Sequence, residues 1–269
     1  STTIKKEKKL CKFGISPFGV WRNKSRDPDG SDTRAGQTNY DDLYADILLW
    51  LKNGWIDYVA PQIYWEFELR VAPYAVLLDW WSRYSYNRHC YIGLGIYKAG
   101  YNPAWRDRTQ IPRQIAALRQ TPHVQGMIFF SSTSFQRNPN GWNDSLQNNY
   151  YRLPALIPPM NWLDSIKPAN PLIKIDYRSD SVIIHLSKGL ATEDLRGYAI
   201  YKTNDPNFMK DSIPPSAFIP YQNDTLVVFK KSAETEKEGI HYYVTAISKT
   251  NNESDPVLLP VAISDRPPE

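Results

Sequence analysis

The sequence predicts an α/β region followed by an all-β region: half of a (β/α)8 barrel, then an antiparallel β-sandwich. Three observations carry this. Buried-looking apolar runs alternate with amphipathic stretches through the first 160 or so residues, the order that builds a parallel sheet with right-handed crossovers. The nine tryptophans all lie at or before Trp162. Beyond a proline cluster (Pro154, Pro158, Pro159, Pro168, Pro171) the chain turns into short alternating segments separated by turn residues. Proline stiffens a chain and withdraws an N–H from pairing, which suits a linker. The domain reading is an N-terminal arm over 1–11, disordered or partly ordered, a partial barrel over 12–163, a linker over 164–171 and a sandwich over 172–265.

In the first region, Phe13–Val20, Ile56–Trp65, Cys90–Lys98 and Val124–Thr133 are apolar at nearly every position. Such runs predict strands buried on both faces. A helix is expected after Thr38 or Asn39 as cap, with Asp41 and Asp42 in its first turn, Leu43, Ile47 and Leu51 inward, and Gly54 as its stop. Pro73 opens a second helix, where its missing N–H costs nothing. Pro112 opens a third, with Ile115 and Leu118 inward. Leu146, Tyr150 and Leu153 mark a shorter fourth. Loops from helix to strand are short, such as Gly54-Trp55. Those from strand to helix are long: Trp21 to Thr38, Glu66 to Ala72, Ala99 to Thr109 and Ser134 to Trp142. Long loops on the carboxyl side of the strands are where such sheets build their sites. A complete barrel needs eight units in about 250 residues; four are legible here. Either the rest of the barrel lies elsewhere in a longer protein, or a homodimer partner supplies it.

In the second region, Leu172–Tyr177, Ser181–Leu186, Arg196–Thr203, Ser216–Tyr221, Thr225–Lys230, His241–Ser248 and Pro256–Ala262 read as strands. Turns such as Arg178-Ser179-Asp180 and Asn223-Asp224 part them, as in a β-sandwich.

Composition excludes several function classes. The 269 residues carry 32 Lys+Arg against 28 Asp+Glu, a formal charge of +4 with signs interspersed, so no nucleic-acid surface is expected. The one dense basic run, Lys5-Lys6-Glu7-Lys8-Lys9, reads as a solvated arm. Cys11 and Cys90 make neither a disulfide framework nor a cysteine-rich zinc site. His89, His123, His185 and His241 lack metal-ligand spacing. No apolar run approaches the ~20 residues of a transmembrane span, and no signal peptide is legible. Gly14-Ile15-Ser16-Pro17-Phe18-Gly19 is not a nucleophile elbow, its last glycine being one place late. Gly93-Leu94-Gly95 lacks the third glycine of a dinucleotide loop. No cofactor or metal is indicated.

The strand ends are rich in rings and polar groups. Ser16, Phe18, Trp21, Arg22 and Asn23 follow the first strand. Gln62, Tyr64, Trp65, Glu66 and Glu68 follow the second. Tyr97, Lys98, Tyr101 and Trp105 follow the third, and Ser131, Ser132, Phe135 and Trp142 the fourth. A sugar has an apolar C–H face to stack and a rim of hydroxyls to bond, so this mixture suits an oligo- or polysaccharide. Arg22 and Asn23 would hold hydroxyls or an N-acetyl carbonyl. Gln62 would bond a ring hydroxyl, and Tyr64, Trp65 and Tyr97 would stack. Lys98 would pair with a carboxylate. Trp50, Trp55, Trp80 and Trp81 are read as structural. Glycoside hydrolysis normally needs two carboxyl groups. Glu66, directly after a buried strand, is the candidate acid/base; Asp27, Asp29 and Asp32 sit among turn residues, and no second carboxylate is fixed on a strand end.

Four stretches together resemble a known family: Phe13–Asn23 (FGISPFGVWRN), Tyr40–Asp46 (YDDLYAD), Trp55–Trp65 (WIDYVAPQIYW) and Pro154–Met160 (PALIPPM). They are similar, in order and spacing, to the C-terminal half of the glycosyl hydrolase-like 10 family of bacterial proteins, over roughly residues 12 to 163. The β-rich region beyond the linker resembles a fibronectin type III-like module. The family resemblance implies a TIM-barrel glycosidase, exported or lipid-anchored (periplasmic or at the cell surface), acting on bacterial glycan such as cell-wall strands stripped of their peptides. It also implies an earlier barrel half bearing an aspartate-rich segment of the type His-x-Asp-Asp-Tyr, which nothing here matches. The family's catalytic aspartates would then lie outside this chain, leaving it the substrate-lining half: Ser16, Trp21, Arg22, Asn23, Gln62, Tyr64, Trp65, Tyr97, Lys98 and Ser131. Whether the chain itself is an enzyme stays open at this point. The rival expectation is a non-catalytic carbohydrate-binding or surface-attachment protein with an incomplete barrel.

Overall fold

A computed structural model describes residues 1–189, 195–223, 225–230 and 239–259. The chain forms two compact units, Ser1–Asn148 and Asn149–Glu269. The division falls before the proline cluster rather than within it.

The first unit runs α1 (Thr2–Glu7), β1 (Gly14–Ile15), α2 (Ile47–Lys52), β2 (Tyr58–Val59), α3 (Tyr74–Arg83), β3 (His89–Leu94), α4 (Pro103–Arg106), α5 (Gln110–Gln120), β4 (Gly126–Phe129), α6 (Ser132–Arg137) and α7 (Trp142–Ser145). A π-helical turn, Leu146–Tyr150, comes next. The four strands form one sheet in the order β1-β2-β3-β4, parallel throughout. The ladders of β1 and β2 are shorter than the apolar runs that predict them. Pro17 and Pro61 lack the N–H that would continue them. Pairing resumes beyond as single bridges, Phe18 to Gln62 and Gln62 to Gly93.

Burial on both faces holds for β3, where His89, Cys90, Ile92, Gly93 and Leu94 are buried, but not for β4, none of whose residues is buried. Val59, Cys90, Ile92 and Leu94 are fully buried, as are Leu77 and Trp81 of α3 and Ile115 of α5; these two helices pack on β3 and β4. The alternate positions, Tyr58, Tyr91 and Gly126, are half-buried, and Ile128 and Phe130 are exposed.

The first crossover helix starts later than expected. Asp46, not Thr38 or Asn39, caps α2 by accepting from the Leu49 N–H at 3.1 Å. Asp42 instead folds back to accept from the Thr38 N–H and hydroxyl at 2.7 and 3.0 Å. The Asn39 amide donates to the carbonyls of Phe18 and Val20 at 2.7 and 2.9 Å. These bonds hold residues 38–44 as turns, with Tyr44 at φ 52°. Gly54, at φ +63°, follows α2 as expected of a stop. Pro73 directly precedes α3, and Pro112 lies in the first turn of α5, with Ile115 and Leu118 buried. The fourth helical stretch starts earlier, at Trp142, and Leu153 lies beyond its end.

The second unit holds β5 (Leu172–Tyr177), β6 (Ser181–Ser187), β7 (Leu195–Thr203), β8 (Ala217–Pro220), β9 (Thr225–Lys230), β10 (His241–Ser248) and β11 (Val257–Leu259). They form two sheets, β5-β6-β9 and β11-β10-β7-β8, all antiparallel. Between them lie Val182, Ile184 and Leu186 of β6, Tyr198 and Ile200 of β7, and Tyr242, Val244 and Ala246 of β10. The alternate residues of β7 and β10 pack outward: Ala199, Tyr201 and Ile247, with Phe208, are covered by Leu156 and Ile213. The segment after Pro154 therefore lies along this sheet. Asp164 accepts there from the Thr250 hydroxyl at 2.6 Å. Of the segments expected as strands or turns, Asp224 and residues 260–265 lie outside the described residues.

Candidate functional site

The carboxyl ends of β1 to β4 bring one group of the expected site residues together. Ser16 follows β1 and donates from its hydroxyl to the Ala60 carbonyl at 2.9 Å. Gln62, one bridge further along β2, donates from its amide to the Ser16 carbonyl at 3.1 Å and lies 3.3 Å from the Ser16 hydroxyl. Beyond it, residues 64–68 form a loop tied down at several points. Lys98 Nζ donates to the Tyr64 carbonyl at 2.6 Å. From α5, the Gln114 amide donates to the Trp65 carbonyl at 3.0 Å. Gln110 accepts from the Phe67 N–H at 3.3 Å and donates to Glu68 at 2.8 Å, and Arg113 pairs with Glu68 at 2.6 Å. These partners, Gln110 first, hold the Glu68 carboxyl below its ordinary pKa. A loop with this many attachments offers fixed side chains.

Glu66 stands in that loop. Its Oε2 accepts from the Trp105 indole N–H at 3.1 Å. Lys98 lies near the same ring, 6.0 Å from its centroid. Burial pushes the Lys98 ammonium below its ordinary pKa, and the neighbouring Glu66 charge works against that shift. Beside them three rings touch. Tyr64 and Phe130 are stacked at 6.0 Å, and Tyr97 meets Tyr64 and Phe130 edge-on at 6.1 and 6.0 Å. Burial raises the Tyr64 hydroxyl pKa. Trp65 packs edge-on against Phe18 at 5.3 Å. Ser131 follows Phe130 as the residue before α6.

Trp21, Arg22 and Asn23 do not join this group. Trp21 is buried, stacked on Trp80 at 6.1 Å and edge-on to Tyr40. Arg22 grips Asp41 through Nε and Nη2, at 3.1 and 2.7 Å, and Asp27 through Nη1 at 2.9 Å. Its guanidinium also lies 4.4 Å from the centre of the Tyr40 ring. Asn23 bonds both ways with Ala35 at 2.9 Å and accepts from the Thr33 hydroxyl at 2.8 Å. These three residues close the long first loop. Arg22 and Asn23 looked available in the sequence because the partners that occupy them lie 5 to 19 positions further on.

Phe130, the residue after β4, also stands at this edge; sequence reasoning did not single it out, because it ends an apolar run, Met127 to Phe130, in which no position differs in type from its neighbours.

Residues 1–108 match the model of the family described as Glycosyl hydrolase-like 10, a span that includes three of the four stretches carrying the resemblance. The glycosyl hydrolase YngK of Bacillus subtilis is 40% identical over 260 residues, which cover 94% of this chain and 50% of that protein. The glycosyl hydrolase DigH of Escherichia coli K12 is 42% identical over 139 residues, 48% of this chain and 31% of that protein. The chain thus spans half or less of the length of these curated relatives. Among solved structures, the Clostridium perfringens spore cortex lytic enzyme SleM aligns with 75% of this chain and 66% of its own at 13% identity and a TM-score of 0.28, too low to define a common fold. The residues that gather at the strand ends between Ser16 and Lys98 therefore lie within the part of the chain that is similar to the glycosyl hydrolase-like 10 family, and glycosyl hydrolases are its curated relatives.

Proposed function

We propose that this chain is the C-terminal half of a TIM-barrel glycoside hydrolase, followed by a fibronectin type III-like module, and that the whole protein hydrolyses O-glycosidic bonds of a bacterial glycan. The observation that carries the reading is the convergence of Ser16, Gln62, Tyr64, Glu66, Tyr97 and Lys98 on one edge of a parallel sheet. The half-barrel is supported by the sheet itself, helix-covered on one face and open on the other at Ile128 and Phe130. The three-plus-four arrangement of antiparallel strands in the second unit supports the fibronectin type III-like assignment.

In this reading Gln62 and Ser16 bond sugar hydroxyls and Lys98 pairs with a carboxylate of the substrate or of the other barrel half. Glu66 is the acid/base candidate, with its carboxylate oriented by Trp105. A second carboxyl group is needed about 5 to 10 Å away. Among the described residues of the first unit, Asp27 and Asp41 are paired with Arg22, and Glu68 with Arg113. The second carboxylate would come from the other barrel half, in a longer protein or a partner subunit. Peptidoglycan strands are the proposed substrate, and the periplasm or the cell surface, by a lipid anchor, the proposed location.

The lack of a second carboxylate directly at a strand end, among the described residues of the first unit, favours a second reading, a carbohydrate-binding protein without hydrolysis. The intact protein incubated with soluble, peptide-free glycan strands separates the two. New reducing ends support the hydrolase. Saturable binding with none released supports the binding protein. Absence of both binding and release refutes both readings.

A further inference from the structure

A groove of about 900 Å³ opens in the second unit, within the size range of ligand sites. Two proline-bearing stretches, 154–159 and 213–215, line it together with Asn251, Asn252 and Glu253, which lie between β10 and β11. Asn251 and Asn252 are only 6% and 5% exposed, and each has one end of its amide unbonded. Arg196, which can only donate, takes the Asn251 Oδ1 at 2.6 Å. The Asp164 carbonyl accepts from the Asn252 Nδ2 at 3.0 Å. Neither Arg196 nor Asp164 lines the groove. The Asn251 Nδ2 and the Asn252 Oδ1, which have no partner among the described residues, are therefore the ends left to face it. Glu253 is divided in the same way. Its Oε1 accepts from the hydroxyls of Tyr201 and Thr245, each at 2.6 Å, while its Oε2 accepts from none of the described residues. The left-handed turn at Asn251, φ 68°, accounts for an asparagine backbone there, but not for an idle amide. Amide ends this far withdrawn from water cost stability unless something bonds them.

We propose that this groove binds an extended peptide segment bearing a lysine-type ammonium: the Asn251 Nδ2 donates to a peptide carbonyl, the Asn252 Oδ1 accepts from a peptide N–H, and the Glu253 Oε2 takes the ammonium. A donor and an acceptor on adjacent residues match the C=O and N–H that a peptide chain presents. Charge selects the side chain. Lys167 is paired with Asp255 at 3.1 Å, and Lys210 donates to the carbonyls of Glu253 and Ser254 at 3.1 and 3.2 Å. The carboxylates of Asp211 and Glu253, by contrast, have no cationic partner among the described residues. The proline rings supply apolar surface without an N–H that would compete for the peptide carbonyls. A saccharide fits this groove less well, because it needs a ring face to stack on. Tyr201 is the one aromatic residue among the described lining, and it is 1% exposed with its hydroxyl committed to Glu253. The groove lies in the second unit, so the proposal stands whether or not the strand-end residues of the first unit hydrolyse a glycan.

The probes are two alanine pentapeptides, one with a central lysine and one with a central norleucine, carrying the same fluorophore and titrated with the intact protein by fluorescence anisotropy. The lysine peptide should bind saturably, with a Kd about tenfold below that of the norleucine peptide. Glu253→Gln keeps an acceptor for Tyr201 and Thr245 but removes the charge, so it should bring the lysine peptide to the Kd of the norleucine peptide. Asn251→Asp keeps the oxygen that Arg196 bonds and tolerates the positive φ, yet sets an acceptor where the donor stood. It should raise the Kd of the norleucine peptide about fivefold at a thermal midpoint no lower than wild type. No saturable binding of the lysine peptide, equal Kd for the two peptides, or a lysine preference that survives Glu253→Gln would each overturn the proposal. Unchanged affinity in Asn251→Asp at a wild-type midpoint would do the same, and Glu253→Gln decides alone if Asn251→Asp melts early. Displacement of the lysine peptide by an unlabelled N-acetylglucosamine tetramer would make the groove a sugar site and also overturn it.

Discussion

Gly19 controls how β1 and β2 meet at the site, and replacing it with alanine should destabilise the first unit. Gly19 is not among the residues with positive φ, so alanine fits its backbone and only space is at issue. A Cβ there would lie 2.6 Å from the Trp65 ring and 2.7 Å from the Gln62 carbonyl oxygen, about 1 Å short of the ~3.5 Å at which carbon atoms rest. Neither neighbour gives way freely. The Trp65 ring is wedged against Phe18 and its carbonyl is bound by Gln114. Gln62 is held by its N–H bond to the Pro17 carbonyl at 3.0 Å. Forcing one methyl into such packing costs about 1–3 kcal/mol, and the stiffer unfolded chain returns roughly 0.4–1 kcal/mol of that. A net loss of about 1–2 kcal/mol, at a urea slope of about 2 kcal/mol/M, moves the midpoint down by about 0.5–1 M. Tryptophan fluorescence reads this unit, since every tryptophan except Trp162 lies in it. Gly36→Ala is the control, because its Cβ would meet nothing within 4 Å; it should leave the midpoint unchanged or slightly higher. A Gly19→Ala protein that unfolds with the Gly36→Ala protein would refute the packing argument.

Three further outcomes come from the same geometry. Glu66→Gln in the intact protein should lower glycan turnover by about 10²- to 10⁴-fold while the Kd for a glycan tetramer stays within about twofold; unchanged turnover would remove Glu66 from the chemistry. Arg22 holds the Asp41 carboxyl below its ordinary value of 3.8, chiefly through its hydrogen bonds. A carboxylate with a depressed folded-state pKa adds stability that is complete above the unfolded value and lost as pH falls through the folded one. The gap in urea midpoint between wild type and Asp41→Asn should therefore close as pH falls below 3.8, and a gap that stays constant down to about pH 2 would contradict the pairing. In the second unit, the hydroxyls of Tyr201 and Thr245 both donate to Glu253 Oε1 at 2.6 Å. Glu253→Ala strands two buried donors at about 1–3 kcal/mol each, so the unit's thermal midpoint should drop clearly more than with Glu253→Gln, which keeps an acceptor; equal midpoints would count against the network.

The order of elements was legible because it depends on local pattern. Apolar runs, the prolines before or within the first turns of α3 and α5, and the turn residues between β5 and β11 act within a few positions of themselves. Strand length was not legible at β1 and β2, where Pro17 and Pro61 cut ladders that the apolar pattern alone would continue. The start of α2 failed for a related reason. Asp41 and Asp42 are ordinary first-turn residues by type, but here Asp42 folds back onto Thr38 and Asp41 turns to Arg22. Site residues divided in the same way. Gln62, Tyr64, Glu66, Tyr97 and Lys98 sit directly beyond strands whose direction fixes them. Arg22 and Asn23 also follow a strand, but their fate depends on how the long first loop closes, and sequence position does not encode that closure.

Buried amides explain why the site loop is rigid without regular structure. Gln110 and Gln114 are almost wholly buried on α5, where a polar side chain without partners would cost stability. Both spend their amides on residues 65–68, and Lys98 gives its ammonium to Tyr64. The polar groups that would be a burden in a plain helix–sheet contact thus become the fastenings of the loop that carries Glu66. The same logic covers Gly93 and Gly95, which would weaken a strand chosen for stability alone but leave room for Tyr64. Residues that look unfavourable to the fold when taken singly are in each case those that hold the strand-end side chains in place, so substitutions that improve local propensity at Gln110, Gln114, Gly93 or Gly95 trade against the geometry of the site.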